Sequence, residues 1–146
     1  MSINTVGIIG AGTMGNGIAQ ACAVAGIHVV MVDISDAAVA KGLATVGGSL
    51  DRLLKKEKIS AADKDAAMAS IRTSTSYDDL KSAQLVIEAA TENFDLKVKI
   101  LKQVDALVAP DVIVATNTSS ISITKLAAVT SRADRFIGMH FFNPVP

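Results

Sequence analysis

Short apolar runs alternate along the chain with longer stretches in which apolar residues recur at helical spacing. Val6, Ile8 and Ile9 open the series. Branched side chains of this kind pack well on a pleated surface, so the run predicts a buried parallel strand. Ile18, Ala21, Cys22 and Ala25 then fall on one helical face. A second strand is predicted over residues 28–32 (His-Val-Val-Met-Val), ending in Asp33. A long helix follows over about 36–58, started by Ser35 or Asp36 as cap, with Ala38, Leu43, Val46, Leu50, Leu53 and Leu54 as its apolar positions. Gly47 and Gly48 weaken a helix interior and leave room for a bend there.

Ser60, with Asp63 three positions on, forms a partial capping box for a helix running to about residue 70. Residues 71–76 alternate Ile and Thr with Arg and Ser and predict a weaker third strand. Residues 77–80 predict a helical turn and 85–90 a fourth strand. The next helix carries Phe94, Val98, Leu101 and Val104 on one face and Leu107 near its end, and Pro110 and Asp111 stop it. A fifth strand over 112–115, a short helix over about 123–129 and a sixth strand over 135–140 complete the series. Strands alternating with helices specify an α/β fold with a mainly parallel sheet.

Composition narrows the class. A length of 146 residues suits one domain, here spanning 1–146. With 50% hydrophobic and 19% charged residues, the chain builds a packed core rather than staying disordered. The net charge is zero and no basic block stands out, which argues against a nucleic-acid partner. The apolar runs are too short to span a bilayer, and no secretory signal opens the chain, so a membrane is not expected as partner and the cytoplasm is the expected location. Cys22 is the single cysteine; no internal disulfide forms, a reducing compartment fits, and its place on the apolar face predicts a core residue. No metal is expected.

The candidate chemistry starts at the first strand. Gly10, Gly12 and Gly15 stand at the spacing G-x-G-x-x-G, with Thr13 and Met14 between them, just past a strand and at the start of a helix. Gly10 permits the tight turn, Gly12 lets backbone approach a pyrophosphate, and Gly15 allows close packing of helix on strand. The helix N-terminus then presents free N–H groups and a positive dipole end to the phosphates. Asp33, about 20 positions on and at the end of the second strand, is placed to bond both adenosine ribose hydroxyls. Its charge would repel a 2′-phosphate, and Ile34 and Ser35 offer no compensating cation, so NAD(H) is expected over NADP(H). These features predict a Rossmann-type doubly wound sheet, helices on both faces, strand order 3-2-1-4-5-6. The alternative is an ordinary strand–turn–helix with a capping aspartate.

Ligands of such sheets bind at the carboxyl ends of the strands. Residues 90–93 (Ala-Thr-Glu-Asn) follow the fourth strand, residues 117–120 (Asn-Thr-Ser-Ser) the fifth, and His140 and Asn143 the sixth. An imidazole there can take the proton from an alcohol as hydride leaves its carbon. Taken alone, His140 is open between that role and a satisfied structural histidine. Ser119 alone reads as a cap or turn residue.

Together, the glycine motif, Asp33, residues 88–93, residues 117–120 and the closing stretch 140–146 (His-Phe-Phe-Asn-Pro-Val-Pro) resemble the 3-hydroxyacyl-CoA dehydrogenase family over the whole chain, and within it the bacterial 3-hydroxybutyryl-CoA dehydrogenases. The resemblance implies oxidation of (S)-3-hydroxyacyl-CoA to 3-oxoacyl-CoA with NAD, and the reverse, on short acyl chains such as 3-hydroxybutyryl-CoA and acetoacetyl-CoA. It implies His140 as catalytic acid–base and Ser119 as the hydroxyl that bonds the reacting oxygen and also meets cofactor and substrate. It implies Asn117 as a neighbouring substrate contact, Glu92, Lys97 and Asn143 along the nicotinamide side, and Ser49 and Lys56 against coenzyme A. Ser49 and Lys56 lie about two helical turns apart and share a face. Read without the resemblance, Lys97 is a solvated helix lysine and Lys56 part of a solvated helix end.

The family also carries, beyond the point where this sequence stops, a carboxylate that orients the histidine and a helical domain that closes the substrate cleft and forms a homodimer. The expectation is therefore a cofactor-binding half that binds NAD and catalyses weakly alone. A stand-alone NAD-binding module without catalysis is the competing reading.

Overall fold

The structure, a computed structural model, describes residues 2–91, 93–117 and 123–139. Its centre is a six-stranded sheet of β1 (Thr5–Ile9), β2 (His28–Val32), β3 (Ile71–Ser74), β4 (Leu85–Glu88), β5 (Ile113–Thr116) and β6 (Phe136–Gly138). The order is β3-β2-β1-β4-β5-β6 and every adjacent pair is parallel, as the alternation of elements predicts. The helices are α1 (Thr13–Val24), α2 (Asp36–Lys55), α3 (Ala61–Ala69), α4 (Phe94–Leu107) and α5 (Ile123–Ala127), with 3₁₀ turns at Tyr77–Ser82 and Ala133–Arg135. None of the described helices is long and apolar enough to cross a membrane.

Strand side chains alternate between faces, and the core divides accordingly. Val6, Ile8, Val29, Met31, Leu85 and Ile87 pack under α1, α2 and α3. Ile9, Val30, Val32, Val86 and Val114 pack under α4, against Ile100, Leu101 and Val104. Both faces are covered, so the strands read as nearly continuous apolar runs.

Several local expectations are corrected. In α1 the buried residues are Gly15, Asn16, Gly17, Ile18, Ala19, Gln20 and Ala23, while Cys22 is half-buried and Ala25 exposed. The helix contacts the sheet, α2 and α3, so a broader small-residue face is covered than one apolar stripe suggests. Cys22 does pack against the core, and burial raises its thiol pKa. α2 runs unbroken through Gly47 and Gly48. Packing of α2 on α1 and α3 outweighs the propensity cost of two glycines. The helix ends at Lys55 rather than near residue 58, because Glu57 turns into the left-handed region at φ 58°. The predicted caps form: Ser35 Oγ accepts the Ala38 N–H at 3.1 Å, and Ser60 and Asp63 exchange both bonds of a capping box at 3.0 Å. In α4 the buried face is Lys97, Ile100, Leu101 and Val104, with Phe94 exposed.

Candidate cofactor site at the carboxyl rim of the sheet

The chain leaves β1 through Gly10, at φ +111°, where its N–H donates to the Val32 carbonyl at 2.7 Å. A Cβ on Gly10 would stand 2.8 Å from the Ala89 carbonyl oxygen and 2.9 Å from Ala90 Cα, so the turn is pressed against the loop after β4. A Cβ on Gly15 would stand 1.8 Å from the Gly10 carbonyl oxygen. These glycines are required by the protein itself. Gly12 differs: a Cβ there meets nothing within 4 Å. It is the N-cap of α1, no side chain caps the helix, and no acidic residue stands in its first turn. The open approach and the uncapped positive end suit a phosphate group.

Asp33 leaves β2 beside this turn. Its Oδ2 accepts the Ala11 N–H at 2.8 Å and its Oδ1 the Ile34 N–H at 2.7 Å, which fixes a half-buried carboxylate against the glycine loop. Clefts open around the two. One, of about 350 Å³, is lined by Gly10, Asp33, Ile34, Tyr77, Ala90 and Leu96 among others. Ile34 is 90% exposed at its edge, an apolar side chain left uncovered beside an acidic one. Burial, then the Asp33 and Glu88 carboxylates, push the Tyr77 phenol pKa up, so it stays a neutral donor. A second cleft runs from Gly12 and Thr13 past Asp33 to Ala38, Lys41 and Thr45 of α2. A third is lined by Gly12, Thr13, Met14, Ala90, Thr91 and Asn117. Gly12 and Thr13 stand where the last two adjoin. An open glycine turn at Gly12, a carboxylate at Asp33 and clefts on both sides suit a dinucleotide.

Asn117 is buried, and its N–H donates to the Glu88 carbonyl at 2.8 Å, setting it at the end of β5. Ser49, on α2, is half-buried and Lys56, its C-cap, is exposed; both continue the edge that Thr45 occupies at helical spacing. Lys97 is not the solvated helix lysine that it reads as without the resemblance. Its side chain is fully buried, and its ammonium pairs with Glu88 and donates to Thr116 Oγ1 at 3.4 Å. A lysine on a helix reads as solvated unless a buried carboxylate waits opposite, and Glu88 sits inside an apolar run. Lys41 likewise gives no signal in the sequence: it lies eight residues past Asp33, and α2 brings it back to the cleft. Glu92, Ser119, His140 and Asn143 lie outside the described residues.

Comparison with known proteins agrees with this geometry. A family model described as 3-hydroxyacyl-CoA dehydrogenase, NAD binding domain, matches residues 5–146. The 3-hydroxybutyryl-CoA dehydrogenase of Bradyrhizobium diazoefficiens is 48% identical over 144 residues, covering 99% of this chain and 49% of that protein. The fatty acid oxidation complex subunit alpha of Acinetobacter baylyi is 41% identical over 143 residues, covering 98% of this chain and 20% of that protein. The crystal structure of the (S)-3-hydroxybutyryl-CoA dehydrogenase of Ralstonia eutropha matches with a TM-score of 0.98 at 78% identity, over 99% of this chain and 51% of that one. The chain thus spans about half the length of the 3-hydroxybutyryl-CoA dehydrogenases it matches. With a glycine turn, an aspartate bonded to it from the end of β2 and a family match across nearly all its residues, the chain belongs to the 3-hydroxyacyl-CoA dehydrogenase family, as its NAD binding domain.

Proposed function

We propose that the chain is the cofactor-binding half of an NAD-dependent dehydrogenase that interconverts (S)-3-hydroxyacyl-CoA and 3-oxoacyl-CoA, with 3-hydroxybutyryl-CoA and acetoacetyl-CoA as substrates. The observation that carries the reading is the line of clefts from Asp33 across the uncapped Gly12 to Asn117. It supports a dinucleotide lying across the strand ends with its second nucleotide at the β4 and β5 loops.

NAD supplies a hydride acceptor, and NADH the donor for the reverse reaction. The chain's own residues do the rest. His140 takes the proton from the 3-hydroxyl and returns it in reverse, since imidazole titrates near neutrality. Ser119 bonds the reacting oxygen, Asn117 contacts the substrate beside it, and Glu92 and Asn143 serve the nicotinamide side of the cofactor. Ser49 and Lys56 meet the coenzyme A moiety along α2. The complete enzyme is a cytoplasmic homodimer, joined through its helical domain.

The test is turnover of acetoacetyl-CoA with NADH by the complete enzyme. His140→Ala should remove most of kcat while NADH affinity stays within about twofold. Failure of the unmutated chain to bind NADH would sink the cofactor reading. NADH binding without any turnover by the complete enzyme would leave a cofactor module and sink the dehydrogenase reading.

A further inference from the structure

The last residue of β4, Glu88, is fully buried and its carboxylate accepts from four donors. One oxygen takes the Lys97 ammonium of α4 and the Thr116 hydroxyl, at 2.8 Å, from the end of β5. The other takes the backbone N–H groups of Ala90, at 2.8 Å, and Thr91, at 3.4 Å. A carboxylate offers about four lone-pair sites, so this one is filled.

The cluster occupies one register row of the sheet. Val32, Ile9, Glu88 and Thr116 are neighbours across β2, β1, β4 and β5. Val32 and Ile9 fill the row with apolar contacts in the core under α4. On the β4 and β5 side the same row carries a carboxylate, a hydroxyl and the lysine above them. Packing alone asks for nothing more than another Val or Leu. A buried ion pair loses hydration on both groups, so stability does not explain it either. The row changes character between β1 and β4, where the strand order reverses and ligands of such sheets bind. The backbone that Glu88 holds is the cleft wall facing Gly12, and it is the same loop against which the Gly10 turn is pressed.

We propose that Glu88 is a positioning residue for the cofactor. It sets the Ala90–Thr91 backbone, and through Thr116 the start of the β5 loop at Asn117, at the spacing from Gly12 that the nicotinamide half requires. Lys97 neutralises it and acts through it. The proposal rests on the dinucleotide reading above.

The test compares the chain with Glu88→Leu/Lys97→Met, which removes both charges together and fills the space as Ile9 and Val32 do. Three readouts are taken: Tm, the Kd of NADH, and the Kd of AMP, which occupies the adenosine side alone. With Tm retained, NADH should bind about tenfold more weakly, the cost of two N–H groups losing their acceptor, and AMP affinity should fall less than about threefold. Unchanged NADH affinity overturns the proposal. Equal losses for NADH and AMP also overturn it, because general loosening does not choose between halves. If the double variant does not fold, Thr116→Val is judged by the same comparison of NADH with AMP, and equal or absent losses again overturn the proposal. If the parent chain binds AMP and NADH normally and Asp33→Ala weakens both, the dinucleotide reading stands whatever becomes of Glu88.

Discussion

The Asp33 carboxylate and the Ala11 N–H, 22 residues apart in sequence, are joined at 2.8 Å, which ties the acid at the end of β2 to the glycine turn after β1. The acid should select against a 2′-phosphate by charge and by occupying the space beside the ribose. Lys41 lines the same cleft and offers a phosphate partner once the carboxylate is gone. Asp33→Ala should therefore narrow the preference for NADH over NADPH by about tenfold, and adding Lys41→Ala should return part of that gain. Fluorescence titration of both cofactors measures it. Equal Kd values for NADH and NADPH in the unmutated chain would defeat the assignment of Asp33.

The glycines separate stability from binding. A methyl on Gly15 collides with the Gly10 carbonyl at 1.8 Å, backbone against backbone, so Gly15→Ala should cost about 3 kcal/mol or more in chemical denaturation. A methyl on Gly12 meets nothing. Gly12→Ala should leave the denaturation midpoint within the error of the measurement and weaken NADH by about tenfold, because only a bound phosphate needs that space. A Gly12→Ala chain that binds NADH normally would show that no pyrophosphate lies there.

Much of this was legible in the sequence because it is written in local pattern. The sheet order follows from alternating strands and helices, and Gly10, Gly12, Gly15 and Asp33 are identified by spacing within one strand–helix–strand unit. What was not legible depends on partners distant in the chain. Glu88 looks like one more strand residue, and Lys97 like a solvated helix lysine, until β4, α4 and β5 converge. Gly42 gave no signal, yet a Cβ there would stand 2.7 Å from the Ala11 carbonyl oxygen, so it lets α2 approach the glycine turn. Gly47 and Gly48 show the complementary case: tertiary packing carries α2 unbroken through two residues of poor helix propensity.

The edge of α2 makes a separate prediction about substrate. Thr45, Ser49, Arg52 and Lys56 follow one another at helical spacing, leading away from the cleft at Lys41. If coenzyme A lies along this edge, Lys56→Ala should raise KM for acetoacetyl-CoA in the complete enzyme by about fivefold, roughly 1 kcal/mol for one exposed lysine–phosphate contact, with NADH affinity unchanged. An unaltered KM would return Lys56 to the solvated face.

The last prediction concerns the opposite end of the sheet, where Arg132 closes α4. Its guanidinium is nearly buried and donates to the carbonyls of Asp105, Val108, Ala109 and Val112 at 2.7–3.2 Å and to Asp105 Oδ1 at 2.6 Å. Carbonyls at a helix end lack partners within the helix, and a cation there also meets the negative end of the dipole. Partial burial raises the Asp105 pKa, but this is outweighed by the bonds from Arg132 and from the Ser131 N–H and hydroxyl and by the Arg132 charge, so it lies below the usual carboxylate value. A pKa depressed in the folded state contributes stability that is complete above the unfolded value, about 3.9, and is lost as pH falls through the folded value. Asp105→Asn should therefore cost about 2 kcal/mol at pH 7, the loss of a charged acceptor, and the gap to the parent should close as pH falls below about 4. Urea denaturation of both chains from pH 7 down to pH 3 measures this. A gap that stays constant over that range would mean that Asp105 serves by shape and hydrogen bonding alone, without its charge.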